Sequence, residues 1–290
     1  MNFLIYLNII RQVKMKTSLN NIRLIVCDID GTLTHDGTIL PSPYALNIIE
    51  RIHEKGILFG LASGRGDEQL IELKDKWGLS FDFDMIIGLN GSEYYNGTSR
   101  VNHDLYSLRV EDIRDIVTKM EDFYPGLNCS VYRNGMRYLR YEDEMAVYSS
   151  KRNQMNNHII KDLSEMWEGP CPKVMYRVSE EVMHKIEPYA IEISNENYRA
   201  CKTQTTMLEF VHAKADKGNA LKAYCEETGL NINDVAAFGD MTNDNEMLLY
   251  AGAGVAMLNA SDDCKKCADY ITDFGNNDDG CMKFIEKYIL

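Results

Sequence analysis

Apolar and polar positions along this chain form two textures. From Arg23 to about residue 102, and again from Lys214 onward, short unbroken apolar runs alternate with stretches that repeat at helical spacing. The run "RLIVCD" lacks polar alternation, the pattern of a strand buried on both faces. "ILFGLAS" and "DMIIGLN", the latter ending at Asn90, repeat it. Between the first two, "PSPYALNIIERIHEKG" carries Ala45, Ile48, Ile49 and Ile52 on one helical face, with Ser42-Pro43 as a start signal and Gly56 as a stop. "GDEQLIELKDKWG" predicts a second helix ending at Gly78. This βαβαβ order implies a parallel sheet with helices on its faces. Asp36-Gly37 predicts a short hairpin after the first strand, and Asn96-Gly97 another within residues 91–102.

The middle of the chain reads differently. "VEDIRDIVTKMEDF" is an amphipathic helix with Ile113, Ile116, Val117 and Met120 on one face. "CSVYRNGMRYLRY" predicts two tyrosine-rich strands around an Asn134-Gly135 turn. "PKVMYRVS" and "TTMLEFV" predict further strands with helical pieces between them. The first texture then resumes: a capped helix from Asp216 to Gly229, a strand "DVAAFGD" ending in Asp240, a helix "NDNEMLLYAG", a strand "AGVAM", a helix "SDDCKKCAD", a short strand "YIT" and a final helix "CMKFIEKYI". The expected organisation is an α/β fold: a Rossmann-like parallel-sheet core with an inserted α+β cap domain. Residues 1–20 are read as an N-terminal extension, 21–103 as the first part of the core, 104–208 as the insertion and 209–290 as the second part of the core.

Composition narrows the function. A net charge of −13 over 290 residues argues against a nucleic-acid surface, whose footprint is basic. It does not exclude an anionic small substrate, because a bound cation reverses the local field. The apolar start "MNFLIYLNII" is too short to span a bilayer and lacks the charge order and cleavage site of a signal peptide. It is read as an extension outside the fold or as an upstream start with Met15 as the true one; a membrane-surface segment is the remaining alternative. The expected location is cytoplasmic, so the eight cysteines are read as free thiols and the Asn96-Gly97-Thr98 sequon as without meaning. "CKKC" at 264–267 has no second CxxC or His pair to complete a zinc site.

The polar residues at the strand ends carry the chemistry. In open α/β sheets, ligands bind beyond the carboxyl ends of the strands. Those ends collect Asp28, Asp30, Ser63, Asn90 and Asp240, with Lys217 and Asn243-Asp244 at adjacent helix starts. Four converging carboxylates repel one another. A hard divalent cation such as Mg²⁺ resolves that conflict through oxygen ligands and water, and a hydroxyl, a lysine and helix N–H groups beside it suit a phosphate.

DxDGT (Asp28–Thr32), SGR (Ser63–Arg65), an isolated Lys217 and GDxxND (Gly239–Asp244), in this order, resemble the haloacid dehalogenase-like hydrolase superfamily. The long interval between SGR and Lys217, with "LNGSEYYNG" and "AGVAMLNASDDCKKCADYIT", resembles its Cof-type phosphatase branch (type IIB, C2 cap). The resemblance covers 23–102 and 209–290. It implies a Mg²⁺-dependent phosphatase of small phosphomonoesters, sugar phosphates foremost. Asp28 would be the nucleophile, forming an aspartyl-phosphate, and Asp30 the acid and then the base. Two residues apart on an extended chain, these carboxylates face the same way, one for attack and one for proton transfer. Mg²⁺ would be held by Asp28, the Asp30 carbonyl and Asp240, with Asp244 acting directly or through water. Ile29, Ser63, the Gly64 N–H, Lys217 and Asn243 would hold the phosphate. The implied partner is a small phosphorylated metabolite, with neither nucleic acid nor membrane; oligomeric state is not legible.

Each residue also has a plain structural reading. Ser63 alone would be a helix N-cap, Lys217 a solvated lysine with Lys214 as its rival, and Asp240 with Asp244 a capping pair. Arg65 is read as structural. Asn90 is either a turn residue or a substrate contact. The rival functions are a phosphomutase using the same nucleophile, for which Arg133, Arg137 and Arg140 form no distinctive basic cluster, and a non-catalytic regulatory module, against which the intact Asp28, Asp30, Lys217 and Asp240 speak. Substrate selection is expected to fall to the cap hairpin, with Tyr132, Arg133, Arg137, Tyr138, Arg140 and Tyr141 as its aromatic and basic residues.

Overall fold

The computed structural model describes residues 19–133, 135–144, 146, 147, 150 and 156–290. Met15 and nearly all of the expected N-terminal extension, as well as Asn134 of the expected Asn-Gly turn, lie outside the described residues. The chain divides into two compact units, one comprising the described residues to Leu105 together with Ala215–Leu290, the other Tyr106–Lys214.

The first unit is built on eight strands, numbered here along the whole chain: β1 (Leu24–Asp28), β2 (Leu58–Ala62), β3 (Met85–Gly88), β4 (Glu93–Asn96) and β5 (Val101–Asp104), then, after the second unit's β6 to β11, β12 (Val235–Gly239), β13 (Ala253–Ala256) and β14 (Tyr270–Ile271). Their order is β14-β13-β12-β1-β2-β3-β4-β5. The six from β14 to β3 are parallel, and β4 and β5 continue antiparallel. Every residue of β1 and β12 is buried, which explains their unbroken apolar runs. Helix Pro43–Glu54 starts where Ser42 accepts the Ala45 N–H, and its buried face is Ala45, Ile48, Ile49 and Ile52. It packs on the last helix, Gly280–Tyr288, while helix Lys217–Thr228 packs on Asn245–Tyr250.

The second unit holds a six-stranded sheet of β6 (Cys129–Arg133), β7 (Met136–Leu139), β8 (Asn156–Ile159), β9 (Lys173–Arg177), β10 (Tyr198–Gln204) and β11 (Met207–His212) in the order β10-β11-β9-β6-β7-β8. Helices Val110–Phe123 and Glu180–Glu192 build its core, in which Ile113, Ile116, Met120, Met183 and Ile186 pack with Val131, Val174, Tyr176 and Phe210.

Four expectations need correction. No hairpin follows β1: residues 29–42 are turns and irregular chain around a single Asp30–Thr34 bridge, because the Leu33 and Thr34 N–H groups fold back onto the Ile29 carbonyl. The predicted helix to Gly78 is two short ones, Asp67–Ile71 and Leu73–Trp77, interrupted at Glu72. The third strand stops at Gly88, and Leu89–Gly91 is a separate turn. The insertion runs from Tyr106 to Lys214, where 104–208 was expected, since β11 pairs with both β9 and β10 and so belongs wholly to the second sheet.

Candidate active site

Parallel register brings the strand ends to one edge of the first unit's sheet. Cys27 stands opposite Phe238, Asp28 opposite Ala62, and Ala62 opposite Ile87. Asp28 therefore ends β1 between Ser63, which follows β2, and Asp240, which follows β12; the Leu89–Gly91 turn follows β3 on the same edge.

Three of the expected acids meet. Ligand oxygens of Asp28, Asp240 and Asp244 all lie within 4.8 Å of one another, and all three residues are buried. Lys217, at the first position of its helix and wholly buried, places Nζ 2.5 Å from Asp28 Oδ1 and 2.6 Å from Asp244 Oδ1. Of the two rival lysines, Lys217 is the one in this cluster. The other Asp244 oxygen, Oδ2, accepts the Asp240 N–H at 2.9 Å and the Met241 N–H at 3.1 Å. Asp244 thus ties down the turn that presents Asp240, so its capping role and its place in the cluster coexist. Thr32 donates to Asp240 Oδ1 at 3.0 Å. The only local sign of this contact is the place of Thr32 in DxDGT. Gly31, at φ +85°, lets the loop pass so close that an added Cβ would sit 2.5 Å from Asp240 Oδ2.

The electrostatics follow from burial. Loss of water pushes the Asp28 carboxyl well above the usual range; Lys217 opposes this, and the charges of Asp244 and Asp240 add to it. Burial and then the Asp244 charge push Asp240 up to about 6, against the Thr32 bond and Lys217. For Lys217, burial works against its charge, but Asp244 and Asp28 together outweigh it and hold the ammonium above its usual value. Three acidic groups with one cation among them leave an excess of negative charge in a desolvated spot. Hard oxygen donors in that arrangement fit a divalent cation of the Mg²⁺ kind.

Asp30 stands apart from this cluster. Its carboxylate is 62% exposed, and Arg65 Nη2 lies 2.7 Å from each of its oxygens. Arg65, read from sequence as structural, is the cation that holds the expected acid. Ser63 is buried and its hydroxyl accepts the Arg65 N–H at 3.3 Å; the cap of the following helix is Gly66, so Ser63 is not an N-cap. Gly64 is exposed and Ile29 is buried. Asn243 donates through Nδ2 to Asn90 Oδ1 at 3.0 Å.

The hairpin arginines of the second unit all have protein partners. Arg137 is buried and bonds Asn157, the Ala146 carbonyl and Ser150. Arg133 reaches the carbonyls of Glu165 and Gly169 and lies over the Tyr138 ring, and Arg140 pairs with Glu121. Among the described residues, no helix is long and apolar enough to cross a membrane.

Known proteins resemble this chain over nearly its full length. A putative phosphatase of Haemophilus influenzae is 28% identical over 269 residues, covering 91% of this chain and 97% of that protein. The 5-amino-6-(5-phospho-D-ribitylamino)uracil phosphatase YcsE of Bacillus subtilis is 27% identical over 285 residues, covering 93% and 97%. The crystal structure of a haloacid dehalogenase-like hydrolase from Bacteroides thetaiotaomicron superposes with a TM-score of 0.77 at 28% identity, over 92% of this chain and 99% of that one. The family model of the haloacid dehalogenase-like hydrolases matches residues 25–285. With its Cof-type motifs, its parallel-sheet core and its inserted cap, the chain belongs to this family and is a phosphoric monoester hydrolase.

Proposed function

We propose that the protein is a Mg²⁺-dependent phosphatase of small phosphomonoesters, sugar or polyol phosphates foremost, working through an aspartyl-phosphate. The observation that carries this reading is Lys217 Nζ between Asp28 and Asp244, with Asp240 in the same cluster. In the first step an Asp28 oxygen attacks phosphorus, and the P–O bond to the leaving group breaks as Asp30 gives that oxygen its proton. In the second, Asp30 takes a proton from water as the water oxygen attacks phosphorus, the acyl-phosphate bond breaks, and Asp28 is regenerated with release of inorganic phosphate. Lys217, by holding Asp28 and Asp244, fixes the nucleophile's orientation and supplies positive charge where phosphate oxygens gather. Asp28, the Asp30 carbonyl and Asp240 would hold Mg²⁺, with Asp244 supporting them directly or through water. Bound there, the ion would neutralise phosphate charge and polarise the phosphoryl group. A relative named for a phosphoribityl substrate supports the sugar- or polyol-phosphate class. The cytoplasm is the proposed location, a small phosphorylated metabolite the proposed partner.

The test is hydrolysis of an aryl phosphate by EDTA-treated protein with and without added Mg²⁺, followed by a panel of phosphorylated metabolites assayed for free phosphate. Full activity in EDTA would remove the metal from the proposal. An isomerised product in place of free phosphate would make the protein a mutase.

A further inference from the structure

The turn after β3 touches three separate pieces of the site. Leu89, Asn90 and Gly91 are all left-handed, at φ 48°, 56° and 94°. A leucine in that region is an outlier, and such strain persists only where the surroundings enforce it. Here they do. The Leu89 N–H donates to the Arg65 carbonyl at 2.8 Å and the Asn90 N–H to the Ser63 carbonyl at 2.9 Å, so the turn grips both ends of the Ser63–Arg65 loop. Gly91 lies against the start of the Lys217 helix, where an added Cβ would sit 2.1 Å from the Asp216 carbonyl oxygen. The Asn90 side chain packs over Gly64, whose added Cβ would be 3.2 Å from Asn90 Nδ2. Its Oδ1 accepts from Asn243 at 3.0 Å, 153 residues away in sequence.

An asparagine used merely to form a turn spends its side chain on its own backbone. Asn90 instead spends its oxygen on Asn243, a residue assigned to the phosphate. We propose that Asn90 is a positioning residue for phosphate binding: it sets the orientation of Asn243 relative to the Ser63–Arg65 loop. The proposal rests on the phosphatase reading and extends it. The Asn243 amide has a fixed direction because one of its N–H bonds is given to Asn90, and the remaining polar edge is then presented to the anion without a search over side-chain rotamers. Preorganisation of this kind lowers the entropic cost of binding.

Asn90→Gly separates the side chain from the turn, since glycine accepts the left-handed backbone and keeps the N–H bond to Ser63. The readouts are the inhibition constant of inorganic phosphate, KM for an aryl phosphate and the melting temperature, measured for wild type, Asn90→Gly, Asn243→Ala and the double variant. The loss of one oriented hydrogen bond should weaken phosphate roughly three- to tenfold in Asn90→Gly. Because Asn90 acts through Asn243, the double variant should be no worse than Asn243→Ala alone, a non-additivity that marks coupled neighbours. A purely structural role would lower the melting temperature and leave the phosphate constant of the folded protein unchanged. If Asn90→Gly does not accumulate folded, Asn90→Ser, whose shorter side chain cannot reach Asn243, takes its place. An unchanged phosphate constant, or two effects that multiply in the double variant, would overturn the positioning role alone. A wild-type protein that neither hydrolyses the aryl phosphate nor binds phosphate would overturn the phosphatase reading and this inference with it.

Discussion

Lys217 Nζ lies 2.5 Å from Asp28 Oδ1 while fully buried, and its second contact, Asp244 Oδ1, is equally enclosed. The ammonium is the one cation paired with Asp28 and Asp244 among the described residues. Removing it leaves buried carboxylates without compensation, a change that typically costs about 3–5 kcal/mol. Lys217→Ala should therefore melt well below the wild type. Added Mg²⁺ should restore part of the loss, because a ligand of the native state stabilises it by mass action. Activity should fall on the order of 10²–10³-fold, as when one preorganised donor to a transition state is lost. Thermal unfolding with and without Mg²⁺ checks the first point, and kcat/KM checks the second. A variant as stable as the wild type in EDTA would contradict the burial argument.

The two aspartates of DxD should separate cleanly. Asp28→Asn should remove turnover, because an amide forms no phosphoenzyme. Asp30→Asn should lose roughly 10²–10⁴-fold, the usual size of acid–base assistance, and less for a leaving group that needs no proton. A series of aryl phosphates of decreasing leaving-group pKa measures this: the Asp30→Asn defect should shrink along the series. A constant defect would take the proton-transfer role from Asp30.

The places of Asp28 and Asp240 were legible because the fold writes them in local sequence. A strand buried on both faces must be an unbroken apolar run, so β1 and β12 announce their own ends, and Asp28 and Asp240 stand there. What stayed hidden is the long-range pairing. Nothing near Arg65 says that it grips Asp30, and nothing near Asn90 names Asn243. β8 ("NNHI") and β10 ("YRACKTQ") escaped for another reason. They are the edge strands of the second sheet and mostly half-exposed or exposed, so neither shows a buried run. The insertion ends beyond the expected 208 because that boundary cuts the strand read from "TTMLEFV"; pairing with β9 and β10 puts the whole of β11 in the second sheet.

Glu93 supplies a pH prediction away from the acidic cluster. Its Oε1 accepts the Asp67 N–H at 2.8 Å, and Asp67 and Asp104 are the acids near it. Burial, reinforced by the Asp67 and Asp104 charges, raises Glu93 from 4.5 to about 7 against the pull of the Asp67 N–H. Between those two values the native state binds more proton than the unfolded chain. Stability must then fall as pH rises through this window, with the full penalty present above about 7. Glu93→Gln keeps the accepting oxygen and removes the charge. It should melt a few degrees above the wild type at pH 8 and show no advantage at pH 4.5, where Glu93 is neutral in the native state. Melting curves across that range test it; a variant advantage that is constant with pH would exclude Glu93 as the titrating group.

Gly31 and Gly37 share a left-handed backbone, at φ +85° and +75°, but differ in what surrounds them. An added Cβ at Gly37 meets nothing within 4 Å, whereas at Gly31 it would sit 2.5 Å from Asp240 Oδ2 and 2.9 Å from Asp240 Cγ. Alanine at either site carries the same backbone penalty, about 1–2 kcal/mol. The clash at Gly31 falls on the end of a side chain, which can rotate away. Its extra effect should therefore appear as a displaced Asp240 carboxylate more than as lost stability. That carboxylate would also lose its bond from Thr32 Oγ1, now 3.0 Å long. Gly31→Ala and Gly37→Ala should accordingly melt within a few degrees of each other. Gly37→Ala should keep near wild-type kcat/KM, while Gly31→Ala should need a higher Mg²⁺ concentration for half-maximal activity and lose at least an order of magnitude in kcat/KM, the scale on which small misplacements of reacting groups act. Equal Mg²⁺ dependence in the two variants would mean that the Asp240 carboxylate is not where the metal is held.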